Sequence, residues 1–292
     1  MRLSRRSALL LRLAVAVGLA FIYIPLIIIF IYAFNASNIL EWPPPGLTLD
    51  WFPKAIESES VHEALLTSIK AGLAATAIAI VLGTLASLAV ARHRFFGRET
   101  ISFLVVLPIA LPGIVTGVAI SNTFTQVLGI PLSLLTVIVG HATFCIVVIY
   151  NNVVARLRRT SGSFEEASAD LGAHTWQTFR WVTFPALRSA LGAGALLAFA
   201  LSFDEIVVTN FTIGAGEETL PIWIFLNLFR PKELPIVPAV AVILILLSII
   251  PVYLAHRLSS DDAGLTPGRG GAPGGGTATP AGIAEAEATA AH

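Results

Sequence analysis

Charge is what this sequence has least of. Only 12% of its 292 residues are Asp, Glu, Lys or Arg, against 55% hydrophobic residues and a mean hydropathy of +0.82. Soluble domains carry about a quarter charged residues, so the composition excludes one and makes this a membrane protein. Acidic and basic residues cancel to a net charge of zero, which implies no nucleic-acid partner. Cysteine is nearly absent. The single Cys145, inside the apolar run Leu132–Tyr150, excludes an intramolecular disulfide and reads as a packed side chain. Lysine occurs three times, at Lys54, Lys70 and Lys232, and none follows GxxxxGK. Without that phosphate loop the chain does not hydrolyse ATP by Walker chemistry. GxSxG, HExxH and CxxC are also missing, so the reading assigns no catalytic residue, no metal site and no enzyme activity. His141 has no second His or acid at ligand spacing and reads as packed and hydrogen-bonded.

Long apolar runs take the place of charge. A helix needs about 20 apolar residues to cross the hydrocarbon core, and six runs have that length: approximately Leu9–Phe34, Ala64–Ala91, Thr100–Ser121, Leu132–Ala155, Leu187–Thr209 and Ile236–His256. The first exceeds the core of a signal peptide, about 7 to 15 residues, and no convincing cleavage site follows it. Basic residues alternate between the connections. Fourteen arginines fall at or near the N-terminus, the second and fourth connections and the C-terminal segment; Lys54, Lys70, Arg230 and Lys232 fall on the other side. Because cytoplasmic loops retain Lys and Arg, both termini are expected in the cytoplasm. The expected division is a short N-terminal segment 1–8, a six-helix transmembrane domain 9–258, and a disordered Gly/Pro/Ala-rich tail 259–292.

Four stretches stand out against the apolar background. The connection after the first run holds EWPPPGLTLDWF, an extended triproline flanked by Trp42, Trp51 and Phe52, which suits the membrane interface or an external partner. The third run carries Pro108, Pro112, Gly113 and Gly117, which interrupt a helix ladder and require a protein or water partner for the freed carbonyls. Asp204 and Glu205 lie in SFDEIVVTNF at the end of the fifth run. Asp204 follows Arg188 by sixteen residues, roughly 24 Å along a continuing helix. Acids at that depth read by default as a pathway or ligand site for a cation, with a structural pair to Lys70 as the alternative. Trp223, Phe225 and Phe229 either stack on a substrate or anchor the interface.

The fourth stretch, Glu165–Pro185, is EEASADLGAHTWQTFRWVTFP. It reads as a helix with an acidic start, a bend at Gly172, a short helix through Trp176 and Phe179, and a stop at Pro185. It resembles the EAA loop of permease subunits in ATP-binding-cassette importers: Glu166, Ala167 and Ser168 fill the EAA triplet, Gly172 stands at the family's offset, and Val182, Phe184 and Pro185 close the motif. Ser, Val and Phe replace Ala, Ile and Leu there. The resemblance spans about Leu9–Arg257 and implies a MetI-like, all-α, six-span permease fold in the inner membrane. It also implies a second permease subunit, two ATPase subunits that bind ATP and Mg, and an external solute-binding protein. Glu165, Glu166, Ala167, Gly172, Trp176, Phe179 and Pro185 would couple to the ATPase. Within the family, SFDEIVVTNFTIG and TLPIWIF resemble the spermidine and putrescine permeases of the PotC type, which implies polyamine cargo and places Asp204, Glu205 and Trp223 along the substrate pathway. A proton-coupled secondary transporter using the same carboxylates, an importer permease for another organic solute and a scaffold without transport activity are the competing readings.

Overall fold

The computed structural model describes residues 5–228 and 235–247. Phe229 and the sixth run beyond Leu247 lie outside this range, as does the segment expected to be a tail.

Helices account for the architecture, and the described residues form no strand longer than the single bridge between Asn35 and Leu47. In chain order they are α1 (Arg5–Tyr32), α2 (Trp51–Glu57), α3 (Glu59–Arg92), α4 (Arg98–Ala110), α5 (Gly113–Asn122), α6 (Leu134–Arg159), α7 (Ser163–Asp170), α8 (Thr175–Thr178), α9 (Phe184–Phe203), α10 (Val207–Thr212) and α11 (Leu220–Asn227). A twelfth, α12, runs Ile236–Leu247. Four helices are long and apolar enough to cross a membrane: Leu9–Tyr32, Glu59–Arg92, Leu134–Arg159 and Thr175–Phe203. The third apolar run would make a fifth if its two halves, bent by 104°, count as one span.

That bend sits where the prolines predict it. Leu111 precedes Pro112 and takes an extended conformation (φ −83°, ψ 142°), as a residue before proline must when its α region is blocked. The chain then restarts as α5, leaving Pro108 inside α4.

Helices α3, α6 and α9 form the centre. Lipid supplies no hydrophobic drive between helices, so small residues allow the close contact that dispersion requires. Ala71, Ala75 and Ala79 of α3 are fully buried, and a Cβ on Gly83 would stand 2.9 Å from the Ile149 side chain. Cys145, Ile149 and Val153 of α6 meet Leu187 and Ala198 of α9 in the same cluster. Ser87 donates to the Tyr150 carbonyl (3.2 Å), and Ser102 of α4 pairs with the Tyr150 hydroxyl (2.7 Å). By contrast, α1 is apolar all round and the rest of the chain buries none of its most apolar window.

A second core joins α2, α3, α11 and α12 through Trp51, Ala55, Ala64, Leu220, Trp223 and Val240. One expectation is corrected here. Trp51 is 3% exposed and donates its indole N–H to the Asn35 carbonyl (2.8 Å), so it is a core residue; Trp42, at 63%, is the exposed one. Trp223 is 5% exposed and donates its indole N–H to Ser60 Oγ (3.1 Å).

Candidate functional site

Two polar interruptions of the apolar framework hold the residues of interest. The first is the connection between α6 and α9. Glu165 and Glu166 lie in the first turn of α7, where negative charge complements the helix dipole. The helix ends in a Schellman turn: Gly172 N–H donates to the Ala169 carbonyl (2.9 Å) and Ala173 N–H to that of Ser168 (3.1 Å). Gly172 has φ +83°, a left-handed conformation that costs a side-chain-bearing residue about 1–2 kcal/mol. Across the turn, Ser168 Oγ and Thr178 Oγ1 share a hydrogen bond of 3.0 Å, so the serine that replaces alanine in the triplet ties α7 to α8.

Glu165 and Glu166 have different surroundings. The Glu165 carboxylate lies 3.0 Å from Arg92 Nε at the end of α3 and accepts the Thr183 hydroxyl at 3.0 Å. It therefore braces the connection against its own chain, although sequence pairs it with an outside partner. Glu166 and Ala167 are exposed. Trp176 stacks on Phe179 with ring centroids 5.6 Å apart, and Phe179 reaches Phe184 at 6.2 Å. Much apolar surface stays uncovered: Trp176 is 61% exposed, Trp181 72% and Leu171 89%.

Pro185 does not stop the helix. A proline lacks the N–H and crowds the carbonyl four residues back, but Phe179–Thr183 forms a π turn in which Phe184 N–H reaches the Phe179 carbonyl. The wider turn lets the ladder restart with Pro185 in the first turn of α9, where its missing N–H costs nothing. The result is one helical rod from Thr175 to Phe203, 29 residues and about 44 Å long.

The second interruption is at the far end of that rod. Sequence predicts a continuous helix to Thr209; α9 instead ends at Phe203, and Asp204 adopts φ −92°, ψ 2°. Helix α10 begins at Val207, so Asp204 and Glu205 stand in a break and not on one helical surface. Glu205 Oε1 accepts the Val208 N–H (2.8 Å), capping the new helix, and its carbonyl accepts the Thr209 hydroxyl (2.6 Å). Asp204 is exposed, and among the described residues neither it nor Lys70 forms an ion pair. Beneath the break, fully buried His141 of α6 bonds Ser202 Oγ through Nδ1 (2.7 Å) and Thr209 Oγ1 through Nε2 (2.9 Å). Helix α10 packs on α5 and α6, so the bent third run forms part of the same neighbourhood.

Residues 79–261 match the family described as binding-protein-dependent transport system inner membrane component. The chain belongs to that family. Similar proteins include the putrescine transport system permease protein PotI of Escherichia coli (strain K12), 32% identical over 215 residues, covering 71% of this chain and 76% of PotI. The spermidine/putrescine transport system permease protein PotC of Shigella flexneri is 31% identical over 253 residues, covering 86% of this chain and 93% of PotC. In the crystal structure of a bacterial ABC transporter that imports the acidic polysaccharide alginate, one chain shares the fold with a TM-score of 0.66 at 16% identity, covering 89% of this chain and 99% of that one.

For this inner-membrane component, the structure gathers Glu165, Glu166, Ala167, Gly172, Trp176, Phe179 and Pro185 on one connection and sets Asp204 and Glu205 apart at the other end of the rod. Trp223 belongs to neither group. Sequence reasoning passed over Leu171 and Trp181, although two large apolar residues in so polar a stretch were the available signal. His141 is packed and hydrogen-bonded, as its sequence reading expects; its partners, 61 and 68 residues away, were not foreseen.

Proposed function

We propose that this chain is the permease subunit of an ATP-driven polyamine importer. It would cross the inner membrane six times with both termini in the cytoplasm, and pair with a second permease chain. The connection between α6 and α9 docks on an ATPase that binds ATP and Mg, while an external solute-binding protein delivers the amine. The observation that carries this reading is the single rod Thr175–Phe203, with exposed aromatics at one end and an unpaired carboxylate at the other. Exposed Trp and Leu beside Glu166 and Arg180 have the composition of a protein interface, in which buried aromatics supply most of the binding energy. Displacement of that end by an ATPase would be transmitted along a helix with no flexible joint before Asp204.

At the break, the two carboxylates have separate tasks. Glu205 holds α10 in place, and Asp204 meets an ammonium group by a charge-assisted hydrogen bond. The names and coverage of the PotI and PotC relatives support a polyamine cargo. The test is uptake of labelled putrescine and spermidine into proteoliposomes holding the assembled transporter and its binding protein. ATP-dependent uptake that ignores a collapsed proton gradient is expected. Uptake that needs the gradient and continues without ATP would identify a secondary transporter instead.

A further inference from the structure

We infer that His141 is a positioning residue that fixes the geometry of the break and thereby the reach of Asp204. The inference rests on the reading that Asp204 meets the cation, but its structural part stands without it.

His141, Ser202 and Thr209 are 0%, 3% and 0% exposed, so each polar atom must find its partner inside the protein. One hydrogen arrangement satisfies them all. The Thr209 hydroxyl proton is committed to the Glu205 carbonyl at 2.6 Å, so Thr209 Oγ1 receives a proton from His141 Nε2–H. Nδ1 then accepts from the Ser202 hydroxyl. The ring thus grips the last turn of α9 with one nitrogen and the first turns of α10 with the other. In a straight helix residues 202 and 209 stand about two turns, roughly 10.5 Å, apart. One imidazole with a hydrogen bond on each nitrogen spans roughly 8 Å. The break brings both hydroxyls within reach of a single ring, and the ring in turn holds the break. Asp204, between the two gripped turns, has no side-chain hydrogen bond of its own to set its position among the described residues, whereas Glu205 is pinned to Val208.

The test uses the full transporter with its binding protein in nanodiscs and proteoliposomes, comparing His141→Leu, His141→Gln and Ser202→Ala. Glutamine places an amide donor near the position of Nε2 and can keep the Thr209 bond, while leucine keeps neither. His141→Leu takes the acceptor from the Ser202 hydroxyl and the donor from Thr209 Oγ1, and about a tenfold loss of uptake is expected. The decisive readout is the ratio of spermidine to putrescine uptake, which a general loss of folded protein does not move. A change of about threefold or more in His141→Leu, a smaller one in Ser202→Ala and recovery to within about twofold in His141→Gln are expected. Equal loss of both amines, or no recovery with glutamine, overturns the assignment.

A spin-label pair at the exposed positions Leu201 and Asn210 reads the break directly, and the native Cys145 is buried. His141→Leu is expected to shift or broaden the continuous-wave spectrum without any amine present; an unchanged spectrum also overturns the inference. If Asp204→Asn alone leaves uptake intact, the cation reading fails, and the label spectrum still decides whether His141 holds the break.

Discussion

The two interruptions of the apolar framework satisfy their polar groups in opposite ways. On the connection between α6 and α9, Glu165 is spent internally on Arg92 and Thr183 and Ser168 on Thr178, while Leu171, Trp176 and Trp181 face outward. At the break the Ser202 and Thr209 hydroxyls are buried and satisfied, and the Asp204 carboxylate is exposed and without an ion pair among the described residues. In the proposed function the uncovered aromatic surface meets a protein and the Asp204 carboxylate meets a cation. One helix, Thr175–Phe203, joins the two surfaces.

The largest effect expected falls on Asp204. A charge-assisted hydrogen bond contributes about 1.5–3 kcal/mol, so Asp204→Asn is expected to lower the uptake of labelled amine by about 10- to 100-fold, with the amount of assembled complex unchanged. Near-normal uptake would erase the contrast between the two regions. Next comes Trp176→Ala, together with Trp181→Ala. Interface aromatics typically contribute about 2 kcal/mol or more, so each variant is expected to weaken ATPase association by about 30-fold in a pull-down or thermophoresis titration. Equal affinity would show that the exposed rings face something else.

Gly172→Val is expected to have an intermediate effect. Forcing a β-branched residue to φ +83° costs about 1–2 kcal/mol, and substrate-stimulated ATP hydrolysis should fall by about tenfold while membrane insertion stays normal. Stimulation at the original level would argue against a rigid turn. The smallest effects belong to the braces. Glu165→Gln weakens a partly exposed ion pair of about 1 kcal/mol or less, and Glu205→Gln keeps an oxygen that can cap Val208. Each is expected to change uptake by no more than a few-fold. A loss in Glu205→Gln as large as in Asp204→Asn would give both carboxylates the same task.

The connection was legible in the sequence because its signals are local. A Gly at the end of an acidic turn has one use there, and the φ of Gly172 agrees with it. The bend after Leu111 was legible for the same reason, since proline acts on its own neighbours. The continuation through Pro185 was not, because a π turn upstream supplies the room that a stop would otherwise require. The burial of Trp51 and Trp223 was not legible, because an indole suits a membrane interface and a core equally well. What separates the two settings is a partner distant in sequence, Asn35 for one and Ser60 for the other.

The sequence by itself determined that this is a helical membrane protein, where its polar connection lies and which family that connection belongs to. Composition, span length and motif spacing are properties of neighbouring residues, and they leave the same trace whatever the packing. Only the tertiary structure decided that the fifth apolar run breaks at Asp204. SFDEIVVTNF contains neither Pro nor Gly, and nothing local prevents it from continuing as helix. At that break His141, on another helix, bonds both Ser202 and Thr209, and Glu205 caps the turn that follows. The two His141 bonds join residues 61 and 68 positions apart, beyond the reach of any local pattern.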